Sequence, residues 1–251
     1  MQELLNLNLY HFLMVFLRLG TTLMLMPGFM SSYINTNIRL STALALSLIL
    51  IPAITPHLPA TPTETTTFLL YILSEITIGV FLGMIMQTLY AALNLAGSLA
   101  GQAIGFSNAQ AFDPTTLNQS IIIETFMSII AITVIFITDM HHLMIKAVID
   151  SYHLFPVGKV LPFGDFANHL SSSLSSSFTT GFKLGAPFIA FTIIFYTGMG
   201  LVSRLMPQLN IFLLSLPLQI YLGLSLLFIT IPTIILWFIR YFDNGLHPFL
   251  H

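Results

Sequence analysis

The chain has 251 residues, 56% of them hydrophobic and 6% charged, with a mean hydropathy of +0.91. Soluble domains carry roughly a quarter charged residues, so this chain has too little charge to coat a soluble globule and falls in the membrane class. A net charge of −2 offers no basic patch for nucleic acid, and the absence of Cys removes disulfides, a thiol nucleophile and Cys-based metal sites.

Apolar runs approaching the roughly 20 residues of a membrane span occur at Leu9–Met30, Leu40–Ile54, Phe68–Ala103, Ile121–Ile137, Leu184–Met206 and Ile211–Ile239. No Lys or Arg precedes Arg18 in the first run, so a signal peptide's basic region is missing and the run is expected to stay as a membrane helix. His11, Arg18 and Thr22 fall on one helical face. A polar stripe on a membrane helix should face protein or water. Arg18 could serve a structural ion pair, with Glu75 as candidate partner, or it could conduct ions or protons, or snorkel to an interface. The second run is short, and Pro52, Pro56, Pro59 and Pro62 mark the loop after it.

The third run carries Glu75, Gly79, Gly83 and Gln87 at four-residue spacing, and Gly97, Gly101 and Gly105 repeat that spacing. Small residues so placed let helix backbones approach closely, either within the chain or against other subunits. Gly101–Pro114 then reads as a helix terminus followed by a loop, with Phe106, Ser107, Asn108, Phe112 and Asp113 in it. It is apolar for a loop: an ordinary connector, or a segment that folds inward and blocks a cavity.

After the short fourth run, Asp139–Lys183 is the most polar stretch, and Ser171–Ser177 within it reads as a solvated linker or short polar helix. Asp139, His141 and His142 invite a metal or catalytic reading. Adjacent histidines on one helix point about 100° apart, however, so both facing one ion is unfavourable, and a membrane-exit helix end is the expected role. With no His-Glu-x-x-His or Gly-x-Ser-x-Gly pattern, no enzyme activity, metal or cofactor is expected. Arg39 and Arg204 bias the short loops too little to set membrane orientation.

The sixth run would reach roughly 40 Å at 1.5 Å per residue, and Pro217 and Pro232 are expected to bend it. Between the last two runs lie Pro207, Gln208 and Asn210, and Pro217 and Gln219 follow inside the next. Side-chain amides are costly in lipid unless paired, and helix-interior prolines free a carbonyl that needs a partner. Such a stretch wants other protein around it.

The segment Pro207-Gln208-Leu209-Asn210-Ile211-Phe212, followed by Leu216-Pro217-Leu218-Gln219-Ile220, resembles the FliR/SctT family of type III secretion export-gate proteins. Arg18 with Pro27-Gly28, Glu75 with Gly79 and Gly83, Gly105-Phe106 through Asp113-Pro114, Asp139 with His141-His142, and Ser151 with Phe155-Pro156 support it in order and spacing. Gln219 stands where many relatives carry Lys. The resemblance covers most of the chain and leans to the flagellar branch. It implies an all-α, multi-pass, non-enzymatic membrane subunit of about six kinked, hairpin-like helical blocks. Residues 1–183 would be a FliP-like part and 184–251 a FliQ-like hairpin, with Pro207–Asn210 as its turn. Implied partners are FliP- and FliQ-like subunits, FlhB- and FlhA-like export proteins, membrane lipid, and unfolded flagellar proteins in transit, at the inner membrane in the flagellar basal body. Gly101, Gly105, Phe106, Ser107, Asn108, Phe112 and Asp113 would belong to a pore plug. Arg18, Glu75, Arg204, Pro207, Gln208, Asn210 and Pro217 would serve structural or inter-subunit contacts. The alternatives are a multi-pass transporter for a small solute and an intramembrane enzyme using Asp139, His141 or His142.

Overall fold

A computed structural model describes residues 2–30, 34–105, 121–208 and 211–250, with side chains from Leu9, Ile34, Ile122 and Ser215 onward in the four stretches. The described residues form helices and turns: α1 (Gln2–Leu25), α2 (Thr36–Ile54), α3 (Thr65–Ile104), α4 (Ile121–Ile137), α5 (Met140–Leu154), α6 (Phe163–Leu205) and α7 (Ile211–Leu246), with short 3-10 turns after α2 and α7. The fold is thus an all-α membrane fold. Among the described residues four helices are long and apolar enough to cross a bilayer, or up to five spans if α4 and α5 make one broken span. In α2 and α6 only 17% of the most apolar window is buried, so their apolar side chains point out toward lipid or other protein.

Local chemistry explains several ends. Gly28 closes α1 in the left-handed region (φ 90°), beside the bond from the Met30 N–H to the Met26 carbonyl. Asn35 caps α2 by accepting the Asn37 N–H at 3.0 Å. Arg39 lies in the first turn of α2 and donates back to the Ile34 carbonyl at 3.0 Å. Pro217 and Pro232 both lie inside α7, which continues through them as helix.

The polar stretch from Asp139 to Lys183 is mostly helical, so Ser171–Ser177 is helix, the second of its two readings, and not a linker. It holds all of α5 and the first half of α6, and Ser171–Ser177 lies within α6. Hydroxyls there bond to the helix's own backbone: Ser172 donates to the His169 carbonyl and Thr179 to that of Ser175, both at 2.9 Å. This satisfies the polar atoms without breaking the helix.

The chain divides into two compact units. The first holds residues 1–89, 138–174 and 243–251. Its core joins Val15, Ile54, Tyr152 and Val157, with an aromatic group in which Phe81 stacks on Phe166 at 4.1 Å and Phe155 meets Phe166 edge-on at 5.0 Å. The second holds residues 90–137 and 175–242. There α3 approaches α6 so closely that a Cβ on Gly181 would sit 2.9 Å from the Ala92 carbonyl oxygen, and a Cβ on Gly223 of α7 would sit 2.9 Å from the Ile104 Cα.

In the first unit, the four-residue glycine spacing serves contacts within the chain. A Cβ on Gly79 would meet the Thr21 hydroxyl and would stand 2.6 Å from the Arg18 carbonyl oxygen, which is backbone and cannot swing aside. Gly198, by contrast, has nothing within 4 Å. Gly-to-Ala in a helix interior ordinarily stabilises by about 0.5–1 kcal/mol, whereas overpacking costs about 1–3 kcal/mol. Gly198→Ala is therefore expected to raise, and Gly79→Ala to lower, the thermal unfolding midpoint of the detergent-solubilised protein.

Candidate functional site

Two polar constellations stand inside this apolar chain, one in each unit. In the first, Arg18 and Glu75 are both fully buried. The Arg18 Nε donates to Glu75 Oε2 at 2.8 Å and its Nη2 to Glu75 Oε1 at 2.7 Å, a two-pronged pairing. Its Nη1 donates to Ser151 Oγ at 3.1 Å, its Nη2 also reaches the Phe155 carbonyl at 2.9 Å, and its Cζ lies 3.8 Å from the centre of the Tyr152 ring. Ser151 in turn donates to the Val148 carbonyl at 2.6 Å.

The sequence builds this site from three helices. His11, Arg18 and Thr22 are all buried, so the stripe on α1 faces protein. Thr22 donates to the carbonyls of Arg18 at 2.8 Å and Gly79 at 3.0 Å, tying α1 to α3 one turn from Glu75. On α5, the buried positions Met140, Met144, Ala147, Val148 and Ser151 recur every three or four residues and turn Ser151 and Tyr152 inward. That periodicity was the signal for the site's third side, masked in a hydropathy reading by the charged and His residues between. A charge pair in a fully buried pocket costs several kcal/mol per ion to desolvate, and only nearly complete pairing offsets it. Here the guanidinium is spent on four hydrogen bonds and an aromatic face. The arrangement fits a fixed tie between helices, with the charges committed to each other and not to a passing ion.

The second constellation lies at the end of α3. Gly105 follows the helix in the left-handed region (φ 90°), its N–H bonded to the Gln102 carbonyl at 3.1 Å. The Ala103 carbonyl, one of those a helix end leaves without an internal partner, accepts from Gln219 Nε2 of α7 at 2.8 Å. The same Nε2 lies 3.4 Å from the Tyr196 hydroxyl of α6, and Gln219 is only 2% exposed. A Cβ on Gly105 would stand 2.8 Å from Gln219 Cδ. Gln219 therefore clamps the root of the segment that follows Gly105. Gly101 is buried on α3 nearby in sequence. Phe106, Ser107, Asn108, Phe112 and Asp113 lie outside the described residues, as does Asn210.

Arg204 is exposed in the last turn of α6, and Pro207 and Gln208 are exposed in the turn that follows. Asp139, His141 and His142 come closer together than helix geometry alone suggests. Asp139 precedes α5 in the left-handed region (φ 57°), and one ligand atom from each residue falls within 4.8 Å of the others. Asp139 and His142 are largely exposed, and the positive end of α5 disfavours a cation there.

Breaking one half of the buried pair leaves the other charge unpaired, at about 3–5 kcal/mol, whereas replacing both with apolar residues is far milder. Arg18→Met and Glu75→Leu are each expected to lower the unfolding midpoint sharply in detergent, and the double variant to recover most of the loss. A double variant as unstable as the worse single one would contradict the pairing.

The sequence pattern of a family described as bacterial export proteins, family 1, matches residues 9–245. The chain is 34% identical to the flagellar biosynthetic protein FliR of Caulobacter vibrioides over 229 residues, 91% of each chain. It is 30% identical to that of Bacillus subtilis over 89% of this chain and 86% of the relative, and 30% identical to that of Escherichia coli over 76% and 74%.

Proposed function

The chain belongs to the bacterial export proteins, family 1, and on that footing we propose that it is a structural and gating subunit of the flagellar export gate. In this reading it sits in the inner membrane within the basal body. It assembles with FliP- and FliQ-like subunits, works beside FlhB- and FlhA-like export proteins, and lines a pore for unfolded flagellar proteins. It carries no catalysis. Residues 1–183 correspond to a FliP-like part and 184–251 to a FliQ-like hairpin.

The observation that best supports an assembled subunit is the length and composition of α3. Its 40 residues contain one charged residue, Glu75, and that residue is buried against Arg18. A helix of that length extends roughly 60 Å, and even tilted by about 40° it would cover about 46 Å of membrane normal. The hydrocarbon core is only about 30 Å thick. An apolar helix that outruns lipid on this scale is accommodated when protein covers the excess. The exposed Gln208, beside Pro207 in the turn between α6 and α7, finds a partner most naturally on a neighbouring subunit.

Gating rests on the segment rooted at Gly105. A plug with Phe106 and Phe112 at its constriction would hold back ions, because stripping their hydration in an apolar throat is expensive. The clamp of Gln219 on the α3 terminus gives that plug a fixed foot. A small-solute transporter, the other reading of the buried charges, is disfavoured because Arg18 and Glu75 satisfy each other so completely.

Two outcomes follow. Co-expressed with FliP- and FliQ-like partners, the chain should co-purify with both, and a monodisperse folded monomer that ignores them would count against the reading. Deleting Gly105–Ala111 should leave the assembly intact while making the membrane leaky to small ions, read as collapse of the membrane potential or growth arrest in high salt. An assembled deletion variant that leaks nothing reduces the segment to a connector.

A further inference from the structure

The seam between α6 and α7 in the second unit holds a groove of about 280 Å³. Lys183, Leu184 and Pro187 line it from α6, and Ile229, Thr230, Thr233, Ile234 and Trp237 from α7. Its walls are chiefly apolar, yet Lys183 is the one Lys or Arg on α6 before Arg204, and no carboxylate pairs with it among the described residues. Thr233 and Trp237 lie on the same seam, and among the described residues their hydroxyl and indole N–H make no hydrogen bond, whereas Thr230 spends its hydroxyl on the Leu226 carbonyl at 2.8 Å. Lys183, Thr233 and Trp237 thus offer one cation and two unspent donors at the edge of an apolar trough.

Both ends of this combination have a physical preference. A lone ammonium on a membrane helix is stable where its stem lies along apolar surface and its head meets the headgroup layer. Trp prefers the same level, with its ring in the acyl boundary and its N–H toward polar groups. Around the groove the surface is outward and apolar: Phe182 is 50% exposed and Ile229 72%. A phosphodiester with a hydrocarbon tail matches both parts, the phosphate on the donors and the tail along Leu184, Pro187, Ile229 and Ile234.

We propose that this groove is a binding site for an anionic phospholipid, with Lys183 as its charge-recognising residue. A zwitterionic lipid fits the trough equally well but brings its own cation beside Lys183, so the site discriminates on net charge. The contact differs from bulk lipid solvation in requiring one residue.

Trp237 is the sole Trp of the chain, so its fluorescence reports on this groove alone. The full chain, reconstituted in phosphatidylcholine nanodiscs, would be titrated with phosphatidylglycerol or phosphatidylcholine brominated on the acyl chain. The site predicts half-maximal quenching by the brominated anionic lipid at a severalfold lower mole fraction than by the zwitterionic one. Lys183→Gln should bring the two curves together, and Lys183→Arg should keep them apart. Equal quenching by both lipids in the wild type would show ordinary lipid exposure and overturn the proposal. Quenching by neither would show the groove covered by protein and overturn it as well. Native mass spectrometry of the chain isolated with its co-expressed partners gives a second reading: fewer bound phosphatidylglycerol molecules on the Lys183→Gln variant are expected, and an unchanged count contradicts the site.

Discussion

The Arg18–Glu75 pair is the constraint around which the first unit is arranged. A guanidinium and a carboxylate cannot stand in an apolar interior unless nearly every polar atom is answered, and the answer here draws on three helices. To bring Glu75 to Arg18, α3 must lie close against α1, and Gly79 and Gly83 make that approach possible. To supply Ser151, the Phe155 carbonyl and the Tyr152 ring, α5 must turn its buried face inward. The glycine spacing, the threonine bonds and the amphipathic pattern of α5 all serve this one electrostatic requirement.

The second unit solves a smaller version of the same problem. A helix that ends among apolar neighbours leaves carbonyls without partners. At the end of α3, the left-handed Gly105 turns the chain, and Gln219 from another helix takes up the Ala103 carbonyl. Amides in apolar helices are expensive, and this one is retained where it closes a helix end. Asn94 and Ser128 make a comparable tie between α3 and α4 at 2.8 Å. The polar residues of the two constellations thus act as fasteners between helices.

Much of this was legible in the sequence where the signal was local or strongly periodic. The run Ile121–Ile137 became α4 with the same bounds, because it is strongly apolar apart from a few polar residues such as Glu124 and Ser128, and it is flanked by polar residues. The stripe His11, Arg18, Thr22 pointed to a face against protein or water, and Glu75, then a candidate partner for Arg18, is the partner found. The stretch from Asp139 to Lys183 was harder to read. Its charged, His and Ser residues lower the mean hydropathy, while the helix-forming information sits in the spacing of Met140, Met144, Ala147, Val148 and Ser151. The meeting of Gln219 with the end of α3 was not legible at all, because it joins residues 116 apart in the chain and depends on how α7 packs.

In the proposed gate, the segment rooted at Gly105 stands in the path of exported protein. The chain contains no Cys, so a single Cys introduced in place of Phe112 is the one reactive thiol it carries. In cells whose partner subunits are also Cys-free, a bulky maleimide would be applied and flagellar protein export measured against the modified fraction. Export is expected to fall in proportion to modification, while a Cys at the exposed position Leu205 is expected to be modified without loss. Full modification at position 112 with undiminished export would contradict that placement.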